Sequence, residues 1–194
     1  MQAARGASLN HSGQSNPGPP ARSRRRRIGL FAAIAALAYA VDLVSKVVAV
    51  DTLTGRPPVE IVGEYFSLYL ARNPGAAFST GTAYTEVLTG IAVVAAAVVI
   101  LVARRLGSTG WAVGLGLLLG GVLGNLTDRL FRSPGPLRGH VVDIFMFPNF
   151  PVFNVADICI NLAAATIIVQ AVRGVRVDGL RHNQADGVPE EGGQ

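Results

Sequence analysis

The sequence predicts an all-α membrane protein: four transmembrane helices with a small β-element and a loop on the outer face. Three observations predict it. Half of the 194 residues are hydrophobic and the mean hydropathy is +0.41. Only 15% are charged, where ordinary soluble domains carry roughly 25%. The apolar residues are also gathered into four runs, each near the roughly 20 residues that a helix needs to cross about 30 Å of hydrocarbon. A single cysteine rules out an internal disulfide framework and a cysteine-built zinc site.

Residues 1–27 read as a disordered basic N-terminal tail. Its first part is rich in Gly, Ser, Asn, Gln, Ala and Pro without apolar periodicity, and Arg24 to Arg27 form a block directly before the first apolar run. The membrane domain spans 28–172, with helices expected at about 28–50, 87–102, 111–130 and 153–172. Residues 173–194 read as an unstructured cytoplasmic tail. The four arginines, the apolar run and Ala38-Tyr39-Ala40 also mimic a secretory signal with its cleavage site, but the run continues to Val50.

Sixteen of the seventeen basic residues are arginine. Eleven of these lie before helix 1, after helix 2 or after helix 4, and five lie toward the other side: Arg56, Arg72, Arg132 and Arg138 in its connections and Arg129 at the end of helix 3. The excess marks the cytoplasmic side, so both termini are expected inside and the connections 51–83 and 131–152 outside. The basic charge flanks apolar runs rather than forming a patch beside a readable motif, so it points to topology and not to nucleic acid. In the first outer connection, Val59 to Val62 and Tyr65 to Leu70 are β-branched or aromatic, punctuated by Pro57, Pro58 and Gly63. They predict a small sheet on the membrane surface.

Polar groups within the apolar runs carry the chemistry, because a charge in hydrocarbon costs a few kcal/mol or more and needs a reason. Asp42 and Lys46 stand four apart on one helical face, and read as a self-neutralising pair in a supporting role. Gly116, Gly120 and Gly124 make a smooth face for close helix contact. Asn125, Asp128 and Arg129 follow near the outer end, where Asp128 with its neighbour Arg129 reads as a plain ion pair. Asn154, Asp157 and Asn161 form a polar stripe at the start of helix 4. Asp143 is a lone carboxylate in the apolar run 141–147, where desolvation should raise its pKa.

Asp157 is the natural partner for Asp143, and two close carboxylates hold one proton between them. Such a pair hydrolyses a peptide bond: one activates water and the other protonates the carbonyl oxygen. This chemistry needs no metal and no cofactor. No H-E-x-x-H or G-x-S-x-G is present. Ser45 and Lys46 are adjacent, which points them about 100° apart on a helix and makes a poor serine–lysine pair. A small transporter using Asp42, Lys46 and Asp157 is one alternative, although these groups gather in the outer half. A membrane assembly protein using the glycine face is another, but it leaves Asp143 and Asp157 without a purpose.

The chain resembles the bacterial lipoprotein signal peptidases (signal peptidase II) over about 28–172. Five motifs in order carry the resemblance: D-x-x-x-K at Asp42 and Lys46; N-x-G-x-A-F at Asn73, Gly75, Ala77 and Phe78; G-N-x-x-D-R at Gly124, Asn125, Asp128 and Arg129; V-x-D at Val141 and Asp143; and F-N-x-A-D at Phe153, Asn154, Ala156 and Asp157. The resemblance implies that Asp143 and Asp157 are the catalytic pair of an aspartic endopeptidase. It implies that Asn73, Asn125, Arg129 and Asn154 line or brace the substrate site, with Gly75, Asp128, Asp42 and Lys46 in support. The implied substrate is a diacylglyceryl-modified prolipoprotein, cut just before the lipidated cysteine at the outer face of the bacterial cytoplasmic membrane. Membrane lipids are the implied surroundings, globomycin is the implied inhibitor, and a monomer is expected. The Pro/Gly-containing stretch 131–137 is a longer insert than the family pattern has.

Overall fold

The computed structural model describes residues 21–75 and 85–181. The chain runs α1 (Ala21–Leu53), β1 (Val59–Val62), a 3-10 turn (Gly63–Tyr65), β2 (Phe66–Asn73), α2 (Thr85–Ala103), α3 (Thr109–Phe131), β3 (Val141–Met146) and α4 (Val155–Val172). All four helices are long and apolar enough to cross a membrane.

Two expectations about the tails need correction. The arginine block is helical, because α1 begins at Ala21 and not at 28. Arginine and alanine are good helix formers, and a helix does not need an apolar face where it leaves the bilayer. At 33 residues, α1 is about 50 Å long, well beyond the hydrocarbon thickness. The second correction concerns 173–181, which is ordered. The Trp111 indole Nε1–H donates to the Val175 carbonyl at 2.7 Å, the Gly107 N–H donates to Val177 at 2.8 Å, and Val175 pairs with Arg181. The rest of both tails lies outside the described residues.

Helix α3 is the centre of the bundle. Its apolar window is 56% buried, against 17–22% in the other three helices, and it packs against all of them. Its glycines explain how. A Cβ on Gly116 would stand 2.9 Å from the Phe31 carbonyl, and one on Gly120 would stand 2.6 Å from the Ala38 Cβ. The glycine face is therefore filled by α1 of the same chain. A second face meets α4, where a Cβ on Gly121 would stand 2.6 Å from the Ala156 carbonyl. Such close approach gains dispersion contacts where no water is present to drive association. Phe31, Val99, Leu106, Leu115, Leu119 and Val122 belong to the apolar core between α1, α2 and α3.

The sheet sits at one end of the bundle. Its order is β1-β2-β3, with both pairings antiparallel. The third strand is an addition to the two stretches expected from sequence. It stands over α1: Val142 and Ile144 pack with Ala49 and Leu53. Beyond Met146 the chain turns back and Phe153 bridges Phe145. The Phe145, Phe147 and Phe150 rings gather around Phe153 at centroid distances of 5.6–5.8 Å. The insert is tied down as well: the Leu137 carbonyl accepts from Thr89 Oγ1 at 2.8 Å, and Arg138 pairs with Glu86 on α2.

Candidate active site

The hairpin return after β3 makes the site. Because Phe153 pairs beside Phe145, the next residue, Asn154, arrives alongside Asp143. Asn154 is also the N-cap of α4. Its side-chain oxygen accepts from the Asp157 N–H at 3.0 Å, and Asp157 Oδ2 accepts from the Asn154 N–H at 3.1 Å. This reciprocal capping box satisfies two otherwise orphaned backbone donors and fixes the Asp157 side chain against the helix start.

Asn154 then touches the other carboxyl. Its Nδ2 donates to Asp143 Oδ1 at 2.7 Å, while Asn73 Nδ2 donates to Asp143 Oδ2 at 2.9 Å. Asn73 closes β2, and its own Oδ1 accepts from the Gly75 N–H at 2.8 Å. Gly75 has φ +106, a region that favours glycine. A Cβ there would stand 3.3 Å from both terminal nitrogens of Arg129, which places that guanidinium against Gly75. Ala77 and Phe78 of the same motif lie outside the described residues.

Asp143 is 2% exposed. Burial pushes its carboxyl up to about 6 from the ordinary 3.8, and the negative charge of Asp157 pushes the same way; the amide hydrogen bonds from Asn73 and Asn154 only partly offset this. Asp157 is half-buried, with Oδ1 accepting from Asn125 Nδ2 at 2.9 Å. The two carboxyls thus flank one asparagine and feel one another's charge.

Below them lies a buried ionic layer. Asn125 Oδ1 accepts from Asn154 Nδ2 at 3.2 Å and from Lys46 Nζ at 2.9 Å. Lys46 also pairs with Asp42 at 2.8 Å and with Asp128 at 3.0 Å, so all three ammonium protons are used. Asp42 Oδ1 accepts from the Ala156 N–H at 2.8 Å, inside the first turn of α4. Asp42 and Lys46 are wholly buried, and Asp128 is 1% exposed. Gly124 is what admits Asp42: a Cβ there would stand 2.3 Å from Asp42 Oδ2.

The expected Asp128–Arg129 pair does not form. Consecutive helical residues diverge by about 100°, so Asp128 pairs one turn on with Arg132 and across the interface with Lys46. Asp128 Oδ2 also accepts from the Val142 N–H at 3.1 Å, which joins β3 to α3. Arg129 turns the other way, where its charge acts on Asp143, Asp128 and Asp157. Asn161 leaves the expected stripe: it is exposed and donates to the Asp157 carbonyl. Sequence reading missed Arg132 as a partner, although its i+4 spacing from Asp128 was visible. Among the described residues, no group of three or more His, Cys, Asp or Glu could hold a metal ion.

The family model described as Signal peptidase (SPase) II matches residues 34–173. The lipoprotein signal peptidase of Mycobacterium tuberculosis (strain CDC 1551 / Oshkosh) is 46% identical over 175 residues, covering 90% of this chain and 86% of the relative. That of Streptomyces coelicolor is 44% identical over 164 residues, covering 84% and 80%. A solved bacterial membrane enzyme, determined by the in meso method at 1.9 Å resolution, has the same fold with a TM-score of 0.67 at 24% identity, over 75% of this chain and 94% of its own. A second, determined at 2.3 Å, gives 0.65 at 22% identity over 86% and 96%. The four-helix bundle with its three-stranded sheet is thus a fold shared with bacterial membrane enzymes, and the chain belongs to the signal peptidase II family.

Proposed function

We propose that this protein is an aspartic endopeptidase that cuts diacylglyceryl-modified prolipoproteins just before the lipidated cysteine, with Asp143 and Asp157 as the catalytic pair. The observation that carries the reading is the shared contact of both carboxyls with Asn154, one through its side chain and one through its capping box. Asp143 retains its proton to about pH 6, and an apolar substrate that displaces water pushes further the same way.

The ionised Asp157 takes a proton from water as the water oxygen attacks the scissile carbonyl. Asp143 gives its proton to the carbonyl oxygen, forming a neutral gem-diol. On collapse the C–N bond breaks, the departing nitrogen takes the proton from Asp157, and a gem-diol hydroxyl returns one to Asp143. The net change is peptide plus water to acid plus amine, with both carboxyls restored. Arg129 and Asn73 are placed to orient the substrate backbone beside the pair.

The sheet end of the bundle faces outward and the arginine-rich end faces the cytoplasm, in a multi-pass arrangement in the bacterial inner membrane. Acyl chains hold the substrate in the bilayer, which presents the scissile bond at that rim. Asp143→Asn and Asp157→Asn should each abolish processing of a lipidated precursor while the protein still accumulates in the membrane. Retained processing in either variant would remove that residue from the pair.

A further inference from the structure

At the end of the bundle opposite the sheet, an open cavity of about 1050 Å³ lies between the end of α2, the start of α3 and the turn that follows α4. Its walls combine Leu101, Val102 and the Trp111 ring with Arg104, Arg105 and Arg176. We infer that this cavity binds the headgroup of an anionic phospholipid, with the upper acyl chain against the Leu101 and Val102 side.

The cavity is built, not incidental. The turn 173–181 forms its far wall, held by the Trp111 and Gly107 hydrogen bonds and by the Arg176 N–H to the Leu180 carbonyl at 2.9 Å. That turn reaches the connection between α2 and α3 because position 107 has no side chain: a Cβ there would stand 1.7 Å from the Asp178 carbonyl oxygen.

Its charge is right for a phosphodiester. Asp178 is the one acidic lining residue, and it pairs with Arg176 at 3.6 Å with both groups partly in solvent. Arg104 and Arg105 make no ion pair among the described residues, and the Arg24 guanidinium donates to the Arg104 carbonyl, adding a further cation at the rim. Planar guanidinium groups match phosphate oxygens in pairs. The apolar side of the cavity is continuous with the exposed flank of α2, where Val98 and Leu101 face outward. A soluble phosphate would use the arginines and leave that flank without a partner, whereas a lipid fills both.

Trp111 is the only tryptophan in the chain, so its fluorescence reports the cavity directly. The test reconstitutes the full chain in vesicles carrying either phosphatidylglycerol or phosphatidylcholine with brominated acyl chains. Phosphatidylglycerol should quench Trp111 preferentially, and Arg104→Gln, Arg105→Gln and Arg176→Gln together should bring the two lipids to parity; each arginine near an anionic lipid is worth about fivefold in partition. Equal quenching by both lipids in the unaltered chain would overturn the inference. So would loss of the preference on adding inorganic phosphate, which would identify a soluble occupant. The acidic segment 182–194 supplies the last control: a preference that emerges only when the chain is ended at Arg181 would mean that the segment itself fills the cavity, and the inference would fail.

Discussion

Lys46→Met tests the ionic layer beneath the carboxyl pair. Methionine keeps most of the apolar stem and removes the ammonium. Asp128 would still have Arg132 and the Val142 N–H, but Asp42, wholly buried, would keep only the Ala156 N–H. The damage therefore falls on Asp42. Removing one member of a buried pair costs about 3–5 kcal/mol, because the remaining charge is left uncompensated. Asp42→Asn alone is milder, about 1–3 kcal/mol, since Lys46 still has Asp128 and Asn125 and an amide oxygen still accepts from Ala156. In the double variant no uncompensated carboxylate remains at position 42, so the combined cost should fall below the sum of the singles by about 2 kcal/mol or more. The assay is reversible unfolding in a mild detergent, with the double-mutant cycle read at one temperature. A Lys46→Met variant within about 0.5 kcal/mol of the parent, or strictly additive costs, would refute the reasoning.

Other expectations follow from the same geometry. Processing should show a bell-shaped pH profile whose alkaline limb begins near or above pH 6, as Asp143 loses its proton; a flat profile through that range would contradict a shared proton. The folded chain binds the Asp143 proton more tightly than the unfolded chain does. Acidification from about pH 6 to about pH 4 should therefore stabilise it by about 2 kcal/mol through this group, and Asp143→Asn should lose that slope in thermal melts. Gly124→Ala should displace Asp42 from the α4 start, costing about 1–3 kcal/mol and slowing processing, and a melt and rate like the parent's would argue that the notch is slack. Precursor without its diacylglyceryl group should be a far poorer substrate; equal cleavage of both forms in detergent would remove the lipid from recognition.

The four helices were legible because a membrane span is written in a long apolar run. The Asp42–Lys46 pair was legible because helical spacing alone brings the two together. What the pair does was not legible, since its further partners, Asp128, Asn125 and the Ala156 N–H, come from other helices. Strand β3 was read only as an apolar run: Val141 to Ile144 are all buried, so the strand lacks the in–out alternation that marks a half-buried one. The convergence of Asp143 and Asp157 was inferred from their chemistry, while its cause, the return of Phe153 alongside Phe145, left no periodic trace. The ordered turn after α4 was invisible for a similar reason, because its main anchor is Trp111, more than sixty positions earlier.

The buried ion pairs behave differently from the arginine flanks. Added electrolyte screens charges that water can reach, over about 8–10 Å at physiological strength, and hardly touches pairs that are sealed away. Lys46 with its two aspartates lies on the sealed side of that divide, and Arg104, Arg105 and Arg176 lie on the open side. The scaffold of the candidate site should therefore keep its shape from dilute buffer to brine, while the hold of the opposite end on its surroundings rises and falls with the ionic strength outside.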